Sequence, residues 1–185
     1  MVERTYPWHR RSEVVVAADP PTLFAHLDDH RRMAGHMEKA SLMMAGATMR
    51  VTLDTLGGRA GGSLIRLDGR VLGLSLQVDE VVTEREPPVR KTWETRGRPQ
   101  LLVIGAYRMG FRITPLDSGH AHLEVSIDYA LPPHPPARWL GRLFGRAYAV
   151  WCTRRMAGDT AAGCPRGRGA DRSCPVSTRI TRHRA

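Results

Sequence analysis

The 185-residue chain contains only two lysines, Lys39 and Lys91, and only three cysteines, Cys152, Cys164 and Cys174. An odd cysteine count without a CxxC pair argues against a disulfide framework and a zinc knuckle, so the thiols read as reduced. No apolar run approaches the roughly 20 residues a helix needs to cross a bilayer, so no integral membrane association is expected. The first ten residues lack the apolar core of a secretory signal, and the cytoplasm is the expected compartment. Acidic residues are also scarce: 18 Asp and Glu stand against 28 Lys and Arg, for a net charge of +10. Nearly all the cations are arginine, a skew that reads as coding bias from a GC-rich genome. Charge of that origin scatters over solvated faces, and no basic–aromatic module accompanies it, so no nucleic-acid partner is expected. What is present is a hydrophobic content of 42%, enough for one globular domain with a real core.

Hydrophobic periodicity orders that domain. The β-branched run Glu13–Ala18 reads as a first strand. Asp19, followed by Pro20 and Pro21, reads as the N-cap of a helix that places Leu23, Phe24 and Leu27 on one face. A second short helix or ordered loop follows. Beyond it the period drops to two and stays there for some eighty residues. Met49, Val51 and Leu53 form one alternating set, and Ile65 and Leu67 a second. Leu72, Leu74, Leu76 and Val78 make a third. A turn at Glu86–Pro88 precedes a strand centred on Trp93. Tyr107, Met109, Phe111 and Ile113 are followed by a hairpin turn at Pro115–Gly119, then by Leu123, Val125, Ile127 and Tyr129. Strands wet on one face and apolar on the other predict an antiparallel sheet covered by a single partner. That partner is the helix after Pro136, with an apolar stripe of Trp139, Leu140, Leu143, Phe144, Ala147, Val150 and Trp151. Arg138, Arg142 and Arg146 sit opposite, and Arg154 returns to the apolar side. From Gly158 the periodicity ends and a disordered basic tail is expected. The division is residues 1–10 as an extension, 11–157 as the domain and 158–185 as the tail.

Strand, two short helices, long antiparallel meander and long C-terminal helix make an α+β, helix-grip arrangement with six to seven strands. The segments Val14–Asp29, Gly69–Gly73, Val82–Pro88 and Phe111–Gly119 resemble the START-like, or SRPBCC, superfamily of polyketide cyclase/dehydrase-like and lipid-transfer proteins, with its Bet v 1-like fold. The resemblance covers roughly residues 10 to 157, and its signatures describe shape more than chemistry. It implies a hydrophobic small molecule held between sheet and long helix, which some members act on as cyclases or hydrolases. No catalytic motif of a characterised branch can be placed here. The family's last helix usually runs further than residue 157.

Candidate site residues follow from the inward register. Trp93, Tyr107, Met109, Phe111 and Tyr129 are expected to line the pocket from the sheet, and Phe144 and Trp151 from the helix. Five of the eight methionines fall between Met33 and Met49. Their spacing does not converge on a soft metal, leaving a pliable pocket edge of Met37, Met43 and Met44 or plain core filler. His26 and His30, at i and i+4 with Asp29 beside them and His36 six residues on, could begin a zinc site, but a third ligand must be supplied and both are expected to be exposed. The glycine-rich Leu56–Gly62 is followed by a strand, not by the helix a phosphate loop requires. No inward carboxylate is evident, and Lys91 is the one charge in the register of Trp93. An enzyme here would therefore use Tyr107, Tyr129 or Lys91 as acid or electrophile, with Cys152 facing away. Neither metal nor cofactor is expected. The leading expectation is a binder of an apolar or aromatic small molecule. The alternatives are a cyclase- or dehydratase-like enzyme in the same pocket, or a peripheral binder of anionic membrane or nucleic acid through Arg138, Arg142, Arg146 and the tail.

Overall fold

The computed structural model describes residues 4–33, 48–71, 74–116, 119–165 and 178–179. Strand β1 spans Trp8–Val16, helix α1 Pro20–Asp28 and the single turn α2 His30–Met33. The meander follows as β2 (Thr48–Leu53), β3 (Leu64–Val71), β4 (Leu74–Glu86), β5 (Arg90–Gln100), β6 (Tyr107–Pro115) and β7 (Ala121–Tyr129). Helix α3 runs from Pro135 to Gly163, and a two-residue strand β8 (Thr178–Arg179) pairs with β1. The sheet order is β2-β3-β4-β5-β6-β7-β1-β8, with every neighbouring pair antiparallel. The concave face of this curved sheet holds α3 against β1 and β7, and α1 against β6. This is the expected α+β helix grip.

Local chemistry explains the boundaries. Asp19 caps α1 by accepting from Thr22 N–H at 3.0 Å and from its hydroxyl at 2.9 Å, with proline in the first turn where no donor is lost. Alternation then buries one face of each strand: Val14 and Val16, Ile65 and Leu67, Val78 and Val82, Phe111 and Ile113, Leu123, Val125 and Ile127. Each such side chain contributes about 1.5–3 kcal/mol by leaving water.

Two boundaries and one helix face differ from the sequence reading. Strand β1 begins at Trp8, inside the expected extension; Tyr6 is buried, and Arg4 donates to Thr95 Oγ1 at 3.0 Å and to the Gly97 carbonyl at 2.6 Å. Helix α3 continues six residues past 157, because Ala157 and Thr160 still face the core and the Thr160 hydroxyl bonds back to the Met156 carbonyl at 2.7 Å. The face α3 presents is also not the expected one. Trp139, Leu143 and Phe144 are exposed, and the buried side is Gly141, Gly145, Ala149, Cys152, Thr153, Met156 and Ala157. Contact distance is the reason. A Cβ on either Gly141 or Gly145 would stand 2.9 Å from the Val103 carbonyl oxygen. Only the small-residue face lets the helix approach the β5–β6 connection, and a bulky apolar stripe would hold it off.

Candidate functional site

The interior contains a carboxylate where the sequence reading expected none. Strand β4 carries its inward register through Leu76, Val78, Glu80 and Val82, so a carboxylate points into the core. Register irregularities at Gln77/Asp79 and Val82/Glu84 bracket Glu80, a device that re-aims a strand side chain. Glu80 is 2% exposed and accepts a hydrogen bond at Oε1 from the Tyr107 hydroxyl. Its other oxygen lies 3.4 Å from Nε2 of His30, which is itself only 3% exposed. Neither Glu80 Oε2 nor His30 Nδ1 has a hydrogen-bond partner among the described residues. Buried polar atoms left open in this way are uncommon, because each costs its desolvation without recompense.

The surroundings hold this group in place. The His30 ring meets Trp93 edge-on, with centroids 5.1 Å apart and planes at 84°. Gly58 packs behind His30: a Cβ there would sit 3.5 Å from the His30 Cβ. The glycine-rich connection is thus a wall of the site. Asp54 pins it by accepting from Ser63 Oγ at 2.6 Å and Leu64 N–H at 2.7 Å, while Ser63 Oγ accepts from Gly58 N–H at 2.9 Å. Burial, reinforced by Glu80, holds the Tyr107 hydroxyl well above its ordinary pKa, so it remains a proton donor. Burial does the same to the Tyr148 hydroxyl, and it pushes the Cys152 thiol up to about 12, with Glu80 adding to both.

A second buried ionic group anchors the helix that delivers His30. Lys91 is 0% exposed and donates from Nζ to Asp28 Oδ1 at 3.0 Å and to the Asp28 carbonyl at 3.2 Å. Arg85 grips the same carboxylate with two bonds, of 3.1 and 2.8 Å, and lies over the Phe24 ring at 5.4 Å. Burial lowers the Lys91 pKa, and Asp28 only partly restores it. Asp28 feels the opposite balance: burial would raise its carboxyl, but Arg85 and Lys91 together hold it below the usual range. Outside this clamp lies a cleft of about 420 Å³ lined by Pro21, Phe24, Ala25, Arg59 and Pro87, among others.

The expected lining residues fall into three groups. Trp93, Tyr107, Met109, Phe111 and Tyr129 are buried on the inward faces of β5, β6 and β7. Trp151 is half-buried against the core, whereas Phe144 faces outward. Met37, Met43 and Met44 lie outside the described residues. Three assignments change: Lys91 is fully committed to Asp28, His30 is buried instead of exposed, and Cys152 faces the core instead of turning away. Sequence reading missed Glu80 because the alternation was followed only as far as Val78; one more step of it reaches Glu80. Among the described residues no cluster of three or more His, Cys, Asp or Glu is placed to hold a metal ion, and no helix is long and apolar enough to cross a membrane.

Comparison with known proteins agrees with this architecture. Residues 7–160 match the family described as polyketide cyclase / dehydrase and lipid transport. Norcoclaurine synthase from Thalictrum flavum superposes with a TM-score of 0.58 at 13% identity, covering 84% of each chain. A conserved protein from Geobacillus kaustophilus gives 0.60 at 9% identity over 84% of this chain and 93% of that one. The di-domain ARO/CYC BexL, from the BE-7585A biosynthetic pathway, gives 0.55 at 12% identity over 85% of this chain and half of that one. At such identities the likeness is one of fold. Among curated proteins, none matches the chain in sequence.

Proposed function

The chain belongs to the polyketide cyclase / dehydrase and lipid transport family, and from that premise we propose that it binds an apolar or aromatic small molecule between the curved sheet and α3, in the cytoplasm. The observation that carries this reading is the Glu80–His30–Tyr107 group, a polar corner in an apolar interior with one acceptor and one imidazole nitrogen left open. Such a corner orients a ligand that presents a hydroxyl, amine or carbonyl to it, while Trp93, Met109 and Phe111 enclose the hydrocarbon part. Native mass spectrometry of the purified protein tests occupancy, and 2-naphthol against 2-methylnaphthalene tests orientation by tryptophan quenching. The hydroxylated probe should bind roughly tenfold tighter, one charge-assisted hydrogen bond being worth about 1.5–3 kcal/mol. Glu80→Leu should erase that preference while leaving 2-methylnaphthalene binding intact. Equal binding of both probes to the wild type would sink the assignment of the polar corner.

A second reading is favoured by the same group. A tyrosine kept protonated beside a carboxylate and an imidazole is equipped for general acid–base work on a bound carbonyl, as a cyclase or dehydratase requires. Tyr107 would donate to the oxygen, and Glu80 or His30 would take a proton from carbon. Lys91, with its donors turned to Asp28, serves this scheme by fixing α1 and not by touching the substrate. Turnover of an enolisable aromatic ketone, followed as deuterium exchange at its α-carbon, should disappear in Glu80→Gln and persist in Lys91→Met.

A further inference from the structure

The outward face of α3 carries large apolar side chains that no described residue covers. Trp139 is 62% exposed, and Leu143 and Phe144 are each 53% exposed. They sit on the half of the helix turned away from the sheet, because Gly141 and Gly145 claim the inward side. Arg138, Arg142 and Arg146 flank them, all exposed. From Tyr129 through Gly158 the chain has five arginines and no acidic residue.

We propose that this face of α3 docks on an anionic lipid surface. The tryptophan, leucine and phenylalanine would enter the headgroup boundary while the arginines engage phosphate and carboxylate above it. Aromatic and aliphatic side chains on one strip, arginines beside it and no carboxylate to repel the surface are the attributes of a helix lying in a membrane interface. Complementarity of charge selects this occupant over a second copy of the chain, since two such faces would bring arginines together without a compensating acid. Duplex nucleic acid would use the arginines but leave the apolar strip in water. The surface is separate from the Glu80 corner, so its test does not depend on what the interior holds.

Co-sedimentation with phosphatidylcholine vesicles, with and without phosphatidylserine, reads the proposal directly. Binding should require phosphatidylserine, weaken as salt rises, and shift tryptophan emission to the blue, a shift largely lost in Trp139→Phe. Arg142→Glu with Arg146→Glu should lower partitioning by roughly fivefold or more per arginine. Trp139→Ser with Phe144→Ser should lower it as strongly while leaving the salt dependence. All four positions are exposed, so these variants should keep the wild-type melting temperature. No vesicle binding by the wild type overturns the proposal. So does a dimer in light scattering that Trp139→Ser with Phe144→Ser dissolves, or binding to a DNA duplex that exceeds vesicle binding and ignores those two substitutions.

Discussion

Replacing Asp28 by alanine removes the acceptor shared by Lys91 and Arg85, and the two donors are not equally placed to bear its loss. Lys91 is fully enclosed and would keep only the Asp28 main-chain carbonyl at 3.2 Å. Arg85 is about a quarter exposed, with 27% of its side-chain surface accessible, and can turn to water. Breaking a buried pair on the side that strands an enclosed charge costs about 3–5 kcal/mol. For a domain of this size that is a fall in Tm of about 6–20 °C. Lys91→Met should behave differently. Asp28 keeps both Arg85 bonds, and the desolvation of an ammonium disappears, so the expected change is within about 1 kcal/mol. The double variant should therefore be more stable than Asp28→Ala alone, a coupling a double-mutant cycle measures. Urea unfolding followed by circular dichroism reads all three. The acid limb supplies a further check. Asp28 has a folded pKa below its unfolded value, so its contribution is complete above about pH 4 and vanishes as pH falls through the lowered folded value. Asp28→Ala should lack that slope. Lys91, lowered by burial, is protonated more readily in the unfolded chain between its folded value and about 10.4, so stability rises with pH in that window and Lys91→Met should flatten the rise. Equal destabilisation by the two single substitutions, or a double variant worse than their sum, would refute the asymmetry. Because Asp28 is the last residue of α1 and His30 follows two positions later, Asp28→Ala should also loosen the imidazole that faces Glu80.

Two other predictions concern α3. Gly145→Ala would force a Cβ to within 2.9 Å of a backbone oxygen, and should destabilise by about 1–3 kcal/mol despite the better helix propensity. Gly158→Ala meets nothing within 4 Å and should stabilise by up to about 1 kcal/mol; denaturant midpoints of opposite sign are expected, and a shared sign would contradict the close approach. In a Cys174→Ser background, a disulfide reagent at mildly alkaline pH should modify half-buried Cys164 directly, even though burial also raises its thiol pKa. It should reach Cys152, whose buried thiol is pushed up to about 12, only as fast as the protein opens. Equal labelling rates would mean that Cys152 does not face the core.

Much of the architecture was written in one-dimensional pattern. Period-two alternation from Met49 to Tyr129 marks strands with one buried face, and strands joined in series by turns and short connections pair with their sequence neighbours. Asp19 with Pro20 and Pro21 marks a helix start on chemistry that no tertiary contact needs to supply. The inward aromatics on β5 to β7 follow from the same alternation. Glu80 was legible in principle, since it stands in phase with Val78 and Val82, but a polar residue in an apolar register looks like a strand end until its neighbours are seen.

Other features no periodicity could reveal. Which face of α3 turns inward depends on how closely the β5–β6 connection approaches, and that distance selects glycine and alanine over tryptophan and phenylalanine. His26 and His30 share a helical spacing, yet only His30 is buried, because α1 ends at Asp28 and the chain turns it onto Trp93 and Gly58. The pairing of Lys91 with Asp28 joins residues 63 positions apart, and that of Glu80 with Tyr107 joins residues 27 apart. Local sequence therefore determined the strands, the helix starts and the fold they compose, since these arise from interactions a few residues wide. Tertiary packing alone decided which charges share a low-dielectric interior, because burial and partnership are properties of neighbours in space.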